Sequence, residues 1–321
     1  MKILITGSAG FIGYHLAIKF LSNGYEVVGI DNLNSYYDIK LKKIRLKKLL
    51  TYKNFHFVKS DISNFKTLKN LFKKYKFKYV FNLAAQAGVR YSIENPNPYV
   101  DSNIIGFYNI SKLCVEYKVK QLFYASTSSV YGDQNKFPLK ENFNTDKPLS
   151  FYAATKKMNE INAYAFFNIH KLSSVGLRFF TVYGPLGRPD MSLYKFIQAG
   201  QNNQPIDLYN YGNHTRDFTY VSDIVDSIYK LFIKSKTLRT PIYKIFNLGN
   251  SKPVTLKKFV KVIEKNLNKK LKINYLPMQK GDVEKTHSSS VKLYDFIKFK
   301  PKISIEQGVK NFYEWYISYY K

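Results

Sequence analysis

Short apolar runs alternate with longer segments of helical period along the first 128 residues. Lys2 to Thr6, Glu26 to Asp31, His56 to Lys59, Tyr79 to Ala84 and Gln121 to Ser126 read as buried strands. Between them, Ile12 to Asn23 and Lys66 to Lys74 space their apolar residues as helices do. Such alternation predicts right-handed crossovers and a doubly wound, parallel α/β sheet covered on both faces. Two later strands are expected at Ser174 to Phe179 and Tyr243 to Leu248, the second returning to the sheet after an excursion. The stretches from about Val182 to Arg239 and from Asn250 onward hold most of the Gly, Pro and Asn turns, which predicts a smaller, loop-rich C-terminal lobe. The expected division is residues 1–181, with the strand 243–248, and residues 182–321.

Composition narrows the class. With 321 residues and 45% hydrophobic content the chain can bury a large core. It has no apolar run of about eighteen residues for a membrane helix, and its opening apolar run is too short for the core of a signal peptide, so a cytoplasmic protein is expected. A single cysteine, Cys114, forms no internal disulfide, and no Cys/His cluster suggests a metal site. The net charge of +29 invites a nucleic-acid reading, but the lysines are spread through nearly every segment, and their densest run, Lys40 to Lys48, reads as a solvated helix face. No nucleic-acid or membrane partner is therefore expected. Only six residues are arginine, at 45, 90, 178, 188, 216 and 239. In a Lys-rich chain each points to a place needing a planar, two-pronged donor.

The first strand runs directly into Thr6-Gly7-Ser8-Ala9-Gly10-Phe11-Ile12-Gly13, with a helix opening at the last glycines. Gly7 permits the tight turn, Gly10 lets backbone approach a pyrophosphate, Gly13 allows close helix–strand packing, and the helix N-terminus faces the phosphates. The second strand ends at Asp31, followed by Asn32. A carboxylate there accepts from adenosine ribose hydroxyls and repels a 2′-phosphate, which favours NAD over NADP. Asp61-Ile62, after the third strand, is placed to flank adenine, and the small run Leu83-Ala84-Ala85 suits close passage beside a cofactor.

Thr127 follows a predicted strand, and Tyr152 and Lys156 open the next long helix as Tyr-Ala-Ala-Thr-Lys. A spacing of four places phenol and ammonium on one face. Half-ionising a phenol near pH 7 requires about 4 kcal/mol of differential stabilisation, for which Lys and a positive nicotinamide ring are the expected sources.

With these marks the sequence resembles the extended short-chain dehydrogenase/reductase family, in particular its NAD-dependent epimerase/dehydratase group, and within it UDP-glucuronate 4-epimerases. The likeness spans nearly the whole chain and includes the long motifs Leu83 to Ser92, Arg178 to Pro185, Gly187 to Met191 and Arg216 to Tyr220. It implies a Rossmann-type cofactor domain with a smaller C-terminal substrate-binding lobe, bound NAD, a UDP-sugar substrate, and inversion at C4 through a 4-keto sugar. By the same likeness Thr127, Tyr152 and Lys156 are catalytic and Asn103 lies near the cofactor. Arg216 grips the diphosphate, Asp282 reaches the uridine ribose, and Arg90 and Arg188 contact the nucleotide sugar. Thr127, Ser128, Ser129 and Thr181 line the sugar carboxylate. The stretch Gly281 to Ser290 departs from the family's more acidic pattern, and His287 is expected at the surface. Dehydratases of the family place Asp-Glu directly after the catalytic Thr, and related decarboxylases keep a Glu at the second position. Ser128 and Ser129 stand there instead, unable to serve as acid or base near neutral pH. Epimerisation of UDP-glucuronate is thus expected, with UDP-glucose or UDP-N-acetylglucosamine as the alternative and a non-enzymatic, NAD-sensing nucleic-acid binder as a reading of another class. Two long helices with aromatic faces, about Pro98 to Tyr117 and Tyr152 to His170, make a homodimer the expected assembly.

Overall fold

The computed structural model describes residues 1–320. Six strands arise before residue 180: β1 (Lys2–Thr6), β2 (Glu26–Asp31), β3 (Phe55–Lys59), β4 (Tyr79–Asn82), β5 (Gln121–Thr127) and β6 (Ser174–Phe179). Short strands β7 (Thr181–Tyr183), β8 (Ile206–Leu208), β9 (Thr215–Arg216) and β10 (Phe218–Tyr220) follow, then β11 (Tyr243–Leu248). β11 joins β1–β6 in one parallel sheet of seven strands, ordered β11-β6-β5-β4-β1-β2-β3. The order reverses between β1 and β4, which opens a crevice at the carboxyl ends of those strands.

Alternation along each strand serves two cores. In β1, Ile3 and Ile5 face one apolar cluster while Leu4 faces the other, and Phe81 and Val80 of β4 divide the same way. The first cluster is closed by helices α1 (Phe11–Ser22) and, later in the chain, Val221–Ser235, through Leu16, Phe20, Ile224, Ile228 and Phe232. On the opposite face Leu68 and Phe72 of a helix at Phe65–Tyr75, with Ile110, Leu113 and Cys114 of one at Phe107–Glu116, cover the sheet. This is the doubly wound α/β architecture expected from the pattern. Among the described residues no helix is long and apolar enough to cross a membrane.

Two elements differ from their sequence expectation by more than a one-residue shift at an end. β4 stops at Asn82, two residues early. The Thr6 hydroxyl donates to Asn82 Oδ1 (2.6 Å) and accepts from Ala84 N (3.0 Å), turning Leu83 and Ala84 out of the ladder. The single helix expected from Pro98 to Tyr117 is interrupted by a π-helical segment, Val100–Gly106. There the Asn103 carbonyl accepts from the Asn159 side chain at 2.6 Å, a partner from another helix that helps a wider turn persist.

Candidate active site

The crevice at the switch point is a cavity of about 940 Å³, walled by both the first 181 residues and the segments beyond them. At its floor the glycine turn is sterically required. Gly7 has φ +69°, and a Cβ there would lie 2.9 Å from Ala84 N; a Cβ on Gly13 would fall 2.1 Å from the Gly7 carbonyl oxygen. Gly10 caps α1 with no side chain, so the first N–H groups of α1, at Phe11, Ile12 and Gly13, open into the cavity. An N-terminus with this approach suits a pyrophosphate.

Asp31 closes β2 and also lines the cavity. Its carboxylate accepts from Ala9 N (3.0 Å) and Leu33 N (2.8 Å), which ties the glycine turn to the end of β2 and leaves further lone pairs for a ligand. Asn32 donates to Asp61 at 2.6 Å, and Asn32, Asp61, Ile62, Leu83, Ala84 and Ala85 continue the same wall. Asn103 is the exception among the expected site residues. It is buried behind the wall, where its side chain accepts from Gln86 N (2.9 Å) and donates to the Gln86 carbonyl and the Thr155 hydroxyl (both 3.0 Å). Thr155 in turn donates to the Tyr152 carbonyl, so Asn103 splints the loop after β4 to the turn that carries Tyr152.

Thr127 ends β5, and Ser128 and Ser129 open a 3₁₀ turn from it, with Ser129 N donating to the Thr127 hydroxyl at 3.2 Å. Tyr152 and Lys156 sit one turn apart on the helix Phe151–His170, whose start is capped by Ser150 accepting from Ala153 N. All five side chains line the cavity. Lys156 Nζ donates to the Ala125 carbonyl at 3.0 Å, and burial pushes its pKa down to about 7. Burial raises the Tyr152 phenol above its ordinary value, with the Thr127 hydroxyl and the Arg188 guanidinium acting in the opposite sense. Desolvation dominates both groups, and ionisation of Tyr152 calls for a further positive charge in the cavity.

Five of the six arginines divide into two kinds, and Arg239 is exposed at the surface. Arg90, Arg188 and Arg216 line the cavity, as do Thr181 and Asp282. Arg188 binds Asp190 through two bonds, with Tyr36 donating to the same carboxylate at 3.3 Å. Arg216 donates to Asp282 Oδ1 (2.8 Å) and to the Glu284 carbonyl (2.9 Å), so the loop that departs from the family pattern is docked on β9. The Arg90 guanidinium lies 5.0 Å from the centre of the Tyr209 ring. By contrast Arg45, fully buried, donates to the carbonyls of Leu186 and Ala9, and Arg178 forms a buried ion pair with Glu160 at 2.8 Å. Their two-pronged geometry serves the fold. The polar cavity residues Tyr36, Gln86, Tyr209 and His214 were not singled out by the sequence. Tyr36 meets Asp190 across 154 positions with no local signal, whereas His214 lies two residues before Arg216, next to the start of β9.

The model of the NAD dependent epimerase/dehydratase family matches residues 3–249. The chain belongs to this family. Protein CapI of Staphylococcus aureus is 48% identical over the full length of both chains. A UDP-glucuronate 4-epimerase of Thermodesulfobacterium geofontis is 42% identical, covering 97% of this chain and 95% of its own. The crystal structure of a Bacillus cereus UDP-glucuronic acid 4-epimerase, in complex with UDP-glucuronic acid and NAD, superimposes with a TM-score of 0.94 at 31% identity over all of both chains. The epimerase/dehydratase fold thus accounts for the whole architecture described above, including the returning strand β11.

Proposed function

We propose that the chain is an NAD-dependent UDP-sugar 4-epimerase that interconverts UDP-glucuronate and UDP-galacturonate. One observation carries the reading: Thr127, Tyr152 and Lys156 share a cavity with a phosphate-ready glycine turn, and the two positions after Thr127 are serines rather than acids. The related enzymes named above, acting on UDP-glucuronate or binding it, support the same substrate.

In this reading residues 1–181 with β11 form the NAD-binding domain and residues 182–321 the substrate lobe. Gly7, Gly10, Phe11, Ile12 and Gly13 hold the pyrophosphate, Asp31 and Asn32 the adenosine ribose, Asp61 and Ile62 the adenine, and Leu83 to Ala85 the inner face of the cofactor. Bound there, NAD would supply the acceptor and donor of a hydride for C4 of the sugar, held by the residues just named. Tyr152 takes the proton of the C4 hydroxyl, and after the ketone turns over it gives that proton back. Thr127 holds the same oxygen, and Lys156 binds the nicotinamide ribose. Ser128, Ser129 and Thr181 fix the C6 carboxylate. A 4-keto glucuronate is a β-keto acid, so holding that group still protects its carbon–carbon bond. Arg216, Arg188 and Arg90 meet the anionic nucleotide sugar, and Asp282 the uridine ribose.

The test is incubation of purified protein with UDP-glucuronate and identification of the product by NMR. Build-up of UDP-galacturonate is expected; a pentose product, or turnover of UDP-glucose alone, contradicts the assignment.

We further propose a cytoplasmic homodimer. Ile105, Tyr108, Met158, Ile161 and Tyr164 expose apolar surface on two adjacent helices, with Ile161 57% and Tyr164 51% accessible, and an apolar face of this kind fits a second copy. Light scattering that returns the mass of one chain contradicts the dimer.

A further inference from the structure

His214 lies immediately before β9, and its side chain is 5% exposed, at the end of the cavity where Arg216 and Asp282 meet. Its Nδ1 faces the Glu284 carbonyl at 3.3 Å. A carbonyl oxygen only accepts, so Nδ1 carries the hydrogen and Nε2 presents a lone pair. That Nε2 is buried and has no hydrogen-bond partner. It stands 3.7 Å from Asp282 Oδ2, while the other oxygen of Asp282 is taken by Arg216. Burial and the nearby Arg216 charge hold the imidazole below its ordinary pKa, against the pull of Asp282, so a neutral ring is favoured. Two acceptors therefore stand side by side with no hydrogen between them. An arrangement of this kind is unfavourable until a ligand supplies donors.

We infer that His214 is a specificity-determining residue of the nucleotide subsite, its Nε2 accepting a ribose hydroxyl of the UDP-sugar beside the Asp282 carboxylate. The inference rests on the UDP-sugar reading above and extends it. Two neighbouring acceptors match the two donors of a cis-diol, which ribose has and a deoxyribose lacks. Neither the Arg216 fork nor the scattered lysines, all donors, can read a hydroxyl as a donor in this way. His214 is thus placed to tell ribose from deoxyribose, while Arg216 reads charge.

The experiment is calorimetric titration of the NAD-loaded protein with UDP, 2′-deoxy-UDP and 3′-deoxy-UDP, for the parent, His214→Leu and His214→Gln. The parent is expected to bind UDP about tenfold more tightly than at least one deoxy analogue, as loss of a donor to a buried acceptor implies. In His214→Leu that ratio collapses towards one through weaker UDP binding, while NAD affinity and melting temperature stay at parent values. His214→Gln, whose amide oxygen is an acceptor, is expected to restore part of the ratio. Unchanged discrimination in His214→Leu, or equal binding of all three ligands by the parent, overturns the role of His214. Failure of the parent to bind UDP at all overturns the UDP-sugar reading with it. Should the Leu protein melt far below the parent, the Gln variant and the parent ratios still decide the matter.

Discussion

Tyr152→Phe lowers kcat for UDP-glucuronate by about 10²–10⁴-fold, the range for loss of a positioned general acid–base, while NAD affinity changes little. The phenol sits one helical turn from Lys156 and lines the same cavity as Thr127. Phe keeps the ring, and with it the edge-to-face contact to Tyr99 at 6.1 Å, so folding is preserved. KM should stay within a few-fold, because the lost interaction belongs to the proton in flight rather than to ground-state binding. Steady-state kinetics with an NAD titration measures both. A variant retaining half of the parent kcat would remove Tyr152 from the chemistry.

Lys156→Met has an opposite pair of effects: turnover falls sharply, and the NAD-free protein becomes more stable. The Lys156 side chain is buried, its nitrogen has one carbonyl partner, and desolvation lowers its pKa to about 7. In the unfolded chain the same group titrates near 10.4. Between those values the unfolded state binds more protons, so stability rises with pH across the window and the penalty of burial is fully felt at and below about pH 7. Replacing the ammonium by an apolar side chain of similar length relieves that penalty, on the order of 2–4 kcal/mol near pH 7, less the hydrogen bond lost at Ala125. The gain should shrink as the pH approaches 10. Denaturant unfolding of NAD-free parent and variant at pH 7 and pH 10 checks the sign and the trend. A variant less stable than the parent at pH 7 would show that the buried ammonium is well solvated or better paired than the carbonyl contact implies. Stability given up for a functional group is common where a site must keep a charge away from water.

Much of this was legible in the chain because it is local. Lys2–Thr6, Glu26–Asp31, Ser174–Phe179 and Tyr243–Leu248 form strands at the expected bounds, since short runs rich in apolar residues suit a sheet buried on both faces. The glycine turn was legible for the same reason: strand, turn and helix N-terminus occupy a dozen residues. What escaped notice depends on partners far apart in sequence. The early end of β4 follows from a Thr6 hydroxyl 78 positions away, and the π segment from Asn159 56 positions on. The electrostatic state of the Tyr152–Lys156 pair depends on burial, which spacing cannot report. Asn103 braces the loop around Gln86 from behind the cavity wall, a position that only the path of its hydrogen bonds reveals. The +29 charge is a poor guide to the site, because only three lysines, Lys42, Lys156 and Lys195, line the cavity.

In the proposed reaction one sugar alcohol is oxidised and re-reduced from its other side without leaving the cavity. UDP-glucuronate carrying deuterium at C4 tests it most directly, with products analysed by NMR and mass spectrometry after many turnovers in ordinary water. The expected product is UDP-galacturonate that keeps its deuterium at C4, with no label lost to solvent and no external reductant required. Washout of the deuterium into water would contradict it, since the C4 hydrogen would then have left as a proton.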